Sequence, residues 1–95
     1  MRIRYTIRAG DDLDRIFRYL DDHSPAGALS VKSEITRRIS LLADIPDLAP
    51  RSRSIAGVLE LTVTQHPYKV FYTIESGEVV ILHVRHAARR PWTGA

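Results

Sequence analysis

The hydrophobic period of the chain changes from two to about 3.6 residues and back again, and this order limits the folds open to it. Residues 2–7 alternate apolar and polar side chains, which is typical of a half-buried strand. Two helical stripes follow, and then three more alternating segments. We therefore expect an α+β chain with the order β-α-α-β-β-β. In this fold a two-helix hairpin packs on one face of an antiparallel-rich four-stranded sheet.

The two helical segments carry start and stop signals. The first stripe begins at Ala9, with three aspartates (Asp11, Asp12 and Asp14) in its first turns, where the helix dipole favours negative charge. The second begins at Ser24-Pro25, an N-cap residue followed by proline, and ends at Ile45-Pro46. The predicted core stripes are Ala9, Leu13, Ile16, Phe17 and Leu20 in the first helix, and Ala28, Val31, Ile35, Ile39 and Leu42 in the second.

The turn between the last two strands decides which side chains share a face of the sheet. A two-residue mirror-image turn needs positive φ at Ser76, whereas a three-residue loop needs it only at Gly77. We predict the three-residue loop, which gives opposed residues the same number parity. The predicted core face holds Tyr68, Val70, Tyr72, Ile74, Val80, Leu82 and Val84, and the open face holds Lys69, Phe71, Thr73, Val79, Ile81, His83 and Arg85, joined by Glu60, Thr62, Arg2 and Arg4. A slip of one residue would replace His83 by His86 beside Lys69.

Length and composition exclude several classes of protein. A chain of 95 residues predicts a single domain over 1–95, with a C-terminal tail at 87–95 that has no clear period. The absence of cysteine excludes disulfides, thiolate metal sites and a cysteine nucleophile. The sequence has no apolar run long enough for a membrane span and no secretory pattern, so we expect a soluble cytoplasmic protein.

The net charge of +3 is confined to the C-terminal half. Basic and acidic residues balance over 1–50, whereas bases exceed acids over 51–95 and no acidic side chain follows Glu78. This asymmetry indicates an anionic partner for the C-terminal half, although a merely solvated basic surface gives the same pattern.

Few catalytic chemistries fit these residues. The four histidines lack metal-ligand spacing, and the chain has neither a glycine-rich phosphate loop nor a nucleophile elbow, so we expect no metal and no cofactor. RNA cleavage by the substrate's own 2′-hydroxyl needs only a base, an acid and cationic support. Lys69, His83, Arg85 and His86 are candidates for these roles. They are equally explained as solvated strand residues and a hydrogen-bonding strand-end histidine.

Four motifs in order resemble the RelE/ParE superfamily of bacterial type II toxins. They are Asp12-Leu13-Asp14-Arg15-Ile16, Leu41-Leu42-Ala43-Asp44-Ile45-Pro46, Tyr68-Lys69-Val70-Phe71-Tyr72, and residues 80–89 with the sequence Val-Ile-Leu-His-Val-Arg-His-Ala-Ala-Arg. The resemblance runs from about Tyr5 to Trp92. It implies a small toxin that is neutralised by a cognate antitoxin, with which it forms a hetero-oligomer.

The superfamily has two mechanistic branches, and the resemblance assigns residues differently in each. RelE-like members cleave mRNA on the ribosome, whereas ParE-like members poison DNA gyrase through protein contacts. In the nuclease branch Lys69 replaces an arginine, and Glu60 and Thr62 stand at positions of two lysines. His86 matches a histidine of the YoeB-like variant, Ala87 does not match its terminal tyrosine, and Arg89 aligns with a late arginine only across a gap.

The missing cations favour a ParE-like toxin that is not a nuclease. The alternatives are a RelE-like endoribonuclease using Lys69, His86 and Arg89, and a homologue that has lost its toxicity. The predicted target-binding residues are Lys69, His83, Arg85, His86, Arg89 and Arg90. The predicted antitoxin-binding residues are Leu13, Phe17, Leu20 and Trp92, because the helical stripes look too wide for one small sheet to cover. Trp92 is equally able to fold back on the core.

Overall fold

The computed structural model describes residues 1–63, 65–88, 92 and 94. The element order is β1 (Arg2–Tyr5), α1 (Ile7–His23), α2 (Pro25–Leu41), β2 (Leu59–Val63), β3 (Tyr68–Glu75) and β4 (Glu78–His86). The four strands form one sheet in the order β1-β4-β3-β2, in which β1 is parallel to β4 and the other pairs are antiparallel. The predicted α+β architecture and element order are confirmed.

The helices pack their apolar stripes on one face of the sheet. Ile35, Ile39 and Leu42 are fully buried against strand residues such as Val70 and Tyr72. From α1, Ala9 and Leu20 are buried, and Leu13, Ile16 and Phe17 are partly buried against the same cluster. Burying such side chains stabilises the fold by about 1.5–3 kcal/mol each. Neither helix in the described ranges is long and apolar enough to cross a membrane.

Helix α1 begins two residues earlier than the apolar stripe predicts. Thr6 is its N-cap, and the Thr6 hydroxyl accepts a hydrogen bond from the Ala9 N–H at 3.1 Å. The three aspartates consequently lie beyond the first turn, and the interpretation that they balance the helix dipole was wrong. Ser24 and Pro25 do begin α2, although the Ser24 side chain makes no capping hydrogen bond.

The predicted turn between β3 and β4 was wrong, because Ser76 does adopt a positive φ. Ser76 has φ of 50° and Gly77 has φ of 75°, which form the two-residue mirror-image turn whose twist matches that of the strands. Opposed residues next to the turn therefore differ in parity, as in the pair Tyr72–Ile81. Val79 and Ile81 accordingly lie in the core, not on the open face, and Val80 lies on the open face.

A β-bulge restores the predicted faces of the side chains, but not the predicted pairing, towards the other end of β4. The partner of Tyr72 is Ile81 whereas the partner of Phe71 is His83, so Leu82 is passed over. Beyond it Lys69 pairs with Arg85 and not with His83 as predicted, although all three residues do lie on the open face. Without this extra residue the two-residue turn would place His83 on the core face, because side chains alternate along a strand.

Candidate functional site

The open face of the sheet carries the predicted target-binding residues Lys69, His83 and Arg85 at the end where β4 finishes. Lys69 and Arg85 are directly opposed across β3 and β4, and Phe71 is opposed to His83. His86 pairs with Tyr68 instead and contacts the edge of its ring, so it lies on the other face. Arg89 and Arg90 lie outside the described residues.

Each of these cations is already engaged by a protein group. Lys69 Nζ lies 3.0 Å from Glu60 Oε2 on the neighbouring strand. The Arg85 guanidinium donates to the carbonyl oxygens of His86 and Ala87 at 3.0 and 3.3 Å, and it lies over the Phe71 ring at 5.6 Å. The basic end of the face is therefore partly neutralised by its own chain.

His83 is held by Asp12, a residue that the sequence reasoning did not assign to the site. The His83 Nδ1–H donates to Asp12 Oδ2 at 2.6 Å, because an ionised carboxylate can only accept. The same oxygen accepts from the Val84 N–H at 3.1 Å. Both side chains are buried, Asp12 at 3% and His83 at 7% exposure. Burial lowers the pKa of His83 below its ordinary value, although the Asp12 carboxylate opposes this effect.

The short length of β1 explains how a helical carboxylate reaches β4. Strand β1 pairs with β4 only up to Ile81, and the chain then turns at Thr6 into α1. The Thr6 N–H donates to the Ile81 carbonyl oxygen at 3.0 Å, which closes the ladder at this point. Beyond Ile81 the edge of β4 is covered by α1. Asp12 accepts a hydrogen bond from the Val84 N–H on this edge. A sequence signal did exist, since Asp12 lies three residues after Ala9 and four before Ile16 on the apolar stripe.

Trp92 packs on the open face rather than standing away from it. Its ring centroid lies 4.8 Å from that of His83 and 5.0 Å from that of Phe71, and the Arg8 guanidinium lies 5.8 Å from the Trp92 ring. Phe71 and His83 stack on each other at 5.8 Å with an angle of 21° between their planes. Trp92 thus folds back on the protein, which is one of the two predicted alternatives. It packs on the face of the sheet opposite the helices.

The predicted antitoxin-binding residues of α1 differ in how accessible they are. Leu20 is 8% exposed, while Leu13 and Phe17 are partly buried against the core. More exposed apolar side chains on the two helices are Ile7, Tyr19 and Leu29. Across the described ranges, no group of three or more His, Asp or Glu side chains is arranged to hold a metal ion.

Comparison with known proteins gives consistent results in sequence and in structure. The sequence model of the family described as the ParE toxin of type II toxin–antitoxin system, parDE, matches residues 3–91. The protein Y4kP of Sinorhizobium fredii is 37% identical over 86 residues, covering 90% of this chain and 88% of the relative. The toxin RelE2 of Caulobacter vibrioides is 32% identical over 88 residues, covering 93% and 97%.

Two solved structures show the same fold. The chromosomal ParDE toxin–antitoxin system from P. aeruginosa contains a chain that superposes with a TM-score of 0.80 at 25% identity, covering 90% of this chain and 95% of that one. The isolated E. coli RelE toxin superposes with a TM-score of 0.66 at 15% identity, covering 94% and 86%, and supports the fold alone. The family match and the two relatives together show that this chain belongs to the ParE toxin family, within the RelE/ParE superfamily of type II toxin–antitoxin systems.

Proposed function

We propose that this toxin is neutralised by a cognate antitoxin and that it acts on DNA gyrase through protein contacts, without cleaving RNA. The observation that carries this proposal is the ion pair between Lys69 and Glu60 at 3.0 Å. Lys69 is the cation that the nuclease branch of the superfamily would place against the RNA phosphate. A carboxylate beside it lowers the local positive potential and repels a polyanion.

The remaining cations of the open face support the same conclusion. Arg2 and Arg4 lie 4.0 and 3.6 Å from the two carboxylate oxygens of Glu78, and Arg85 donates to backbone carbonyls. Thr62, at the position of a nuclease lysine in the resemblance, is exposed and uncharged. Among the described residues, the open face thus resembles a mixed protein-binding surface more than a phosphate cradle.

The histidines are also poorly arranged for RNA cleavage. His83 is covered by Trp92, and His86 lies on the opposite face of the sheet with its Nδ1 accepting from the Ala88 N–H at 3.1 Å. A general base and a general acid must meet at one reacting centre. The side chains of His83 and His86 do not meet, because residues three positions apart on a strand point to opposite faces of the sheet.

The antitoxin is the partner proposed for the helical side of the molecule. Leu29 on α2 is 74% exposed and Tyr19 on α1 is 57% exposed, and large apolar side chains of this kind favour contact with another chain. Leu13 and Phe17, which are partly buried, also lie on α1. One solved relative is the intact E. coli RelBE toxin–antitoxin complex, which the fold matches with a TM-score of 0.66 at 16% identity.

The endoribonuclease alternative is favoured by one observation, the Asp12–His83 pair. A carboxylate that orients an imidazole through Nδ1 is an arrangement used by general bases. In this alternative the Nε2 of His83 would act on the 2′-hydroxyl once Trp92 had moved away.

One experiment separates the two functions. The purified toxin is added to gyrase in a supercoiling assay, and mRNA ends are mapped by primer extension after induction in cells. We expect inhibited supercoiling and no codon-phased cleavage, and we expect added antitoxin to restore supercoiling.

The variant Glu60→Gln sharpens this comparison, because it releases Lys69 from its carboxylate while keeping the size of the side chain. A nuclease should cleave faster with Lys69 released, whereas a gyrase inhibitor should change little. Codon-phased cleavage that increases in Glu60→Gln would overturn the proposal, as would a folded wild-type toxin that affects neither gyrase nor mRNA.

A further inference from the structure

Building on the proposed function, we propose that Trp92, seated on His83 and Phe71 and flanked by Arg8, is the anchor by which this toxin binds an acidic surface of its target protein. Asp12 and His83 are then positioning residues. They fix the seat on which the indole rests and make no contact with the target themselves.

The seat is a buried aromatic site on the face of the sheet turned away from the helices. Phe71 is 1% exposed and His83 is 7% exposed, although the core cluster that the helices share with the sheet lies on its other face. The Trp92 ring lies at contact distance from both, tilted by 60° and 44°. Three aromatic rings at 4.8–5.8 Å form a cluster of the kind that stabilises interfaces beyond simple area burial.

Asp12 determines the orientation of this seat. Its Oδ2 atom accepts hydrogen bonds from both the His83 Nδ1–H and the Val84 N–H. The imidazole therefore cannot rotate without losing a short buried hydrogen bond. The fixed imidazole stacks on Phe71 within 21° of parallel. A preorganised anchor binds more tightly because less conformational entropy is lost on association.

The groups around Trp92 indicate the chemistry of the partner. The Arg8 side chain is 48% exposed and lies over the indole, and Trp92 itself is partly exposed. Partly exposed tryptophan with arginine is the composition of binding hot spots. Residues 51–95, which include the tail, carry the net charge of +3, and no acidic side chain follows Glu78. An acidic protein surface complements this patch, and the nearby Glu60 disfavours an extended polyanion such as RNA.

Trp92 is the single tryptophan of the chain, so its fluorescence reports on the seat directly. The full-length toxin and the variants Asp12→Asn and His83→Gln are compared by acrylamide quenching and by binding to purified gyrase and to the antitoxin. We expect both variants to expose Trp92 to the quencher and to weaken gyrase binding about tenfold. Antitoxin binding should stay within about twofold, which also shows that the variants are folded.

Substitution of the anchor completes the test. We expect Trp92→Ala to weaken gyrase binding about tenfold or more and Trp92→Phe to retain most of it. Tyr19→Ala, which removes an aromatic side chain that is 57% exposed on α1, is the matched control and should leave gyrase binding unchanged.

The outcomes distinguish this inference from the proposed function. If wild type inhibits gyrase and Trp92→Ala does so equally well, the inference fails and the proposed function stands. If Asp12→Asn and His83→Gln leave Trp92 quenching unchanged, the positioning role fails. If wild type binds RNA through Trp92 and does not bind gyrase, both the target class and the proposed function are wrong.

Discussion

Asp12 is the residue on which the geometry of the open face depends. One carboxylate oxygen accepts from the His83 imidazole and from the Val84 backbone, and Arg15 lies 3.7 Å from the other oxygen. A buried carboxylate is tolerated only when donors of this kind replace its water. The residue therefore ties α1, β4 and the aromatic seat into one unit.

Removing this carboxylate should be costly to the folded state. We expect Asp12→Ala to lower the free energy of unfolding by about 2–4 kcal/mol, because two buried donors lose their acceptor. Urea unfolding followed by circular dichroism measures this loss. Asp14→Ala, two positions further along and exposed, is the control and should change stability by less than about 0.5 kcal/mol. Equal effects at the two positions would contradict the buried role of Asp12.

His83 predicts how stability depends on pH. Burial lowers its pKa in the folded state below the ordinary value of 6.5, so the unfolded chain binds the proton more readily. Stability is then fully present above pH 6.5 and falls as the pH drops below it, by less than about 1.4 kcal/mol per pH unit. We expect denaturant unfolding to show this fall as the pH drops below about 6.5, above the range where most carboxylates titrate. His83→Gln should flatten the profile there, and an unchanged slope would contradict the assignment.

At the level of elements, the end of the sheet next to the turn is built by two compensating irregularities in β3 and β4. The two-residue turn at Ser76-Gly77 exchanges the two faces of β4 relative to the prediction, and the bulge at Leu82 exchanges them again. The first brings Val79 and Ile81 into the core, and the second returns His83 to the open face. The site therefore exists only because both are present.

The turn gives a prediction that is independent of the site. Ser76 is the one non-glycine residue with positive φ among the described positions, and asparagine tolerates that conformation better than serine. We expect Ser76→Asn to raise the free energy of unfolding by about 0.5 kcal/mol and Ser76→Val to lower it by about 1 kcal/mol or more. Thermal unfolding measures both. Ser30→Asn, at an exposed position of α2, should have no comparable effect, and a destabilised Ser76→Asn would contradict the turn assignment.

These elements also show what the sequence can and cannot predict. The stripes of α2 and the strands at 59–63, 68–75 and 78–86 follow directly from apolar periodicity, which reports burial. The turn and the bulge do not, because each depends on a backbone choice that differs by only about 1 kcal/mol between alternatives. Lys69 and Arg85 were nevertheless placed correctly on the open face. The unpredicted turn and the unpredicted bulge each exchange the two faces, so their effects on the face cancel at these residues.

For the whole molecule, the fold brings together charges that the sequence alone does not pair. Arg2 and Arg4 from the first strand reach Glu78 at the start of the last strand, and Glu60 reaches Lys69. The pairs of Arg2 and Arg4 with Glu78 join the two halves of the chain, so a division of the sequence into a neutral and a basic half could not predict them. The sequence placed Lys69, Phe71, His83 and Arg85 on the open face, but it could not show that Asp12 and Trp92 both contact His83 there, because both contacts depend on the tertiary fold.

The parallel pairing of β1 with β4 has a consequence for how the toxin acquires its structure. The Thr6 hydroxyl and the carbonyl of Ile81, which close this pairing, are 75 positions apart in the sequence. Contacts of such long range form late, because the entropy of closing the intervening loop must be overcome before they contribute. During synthesis β1 leaves the ribosome long before its partner exists. The sheet, and with it the aromatic seat, can be completed only when the last strand, β4, has been made.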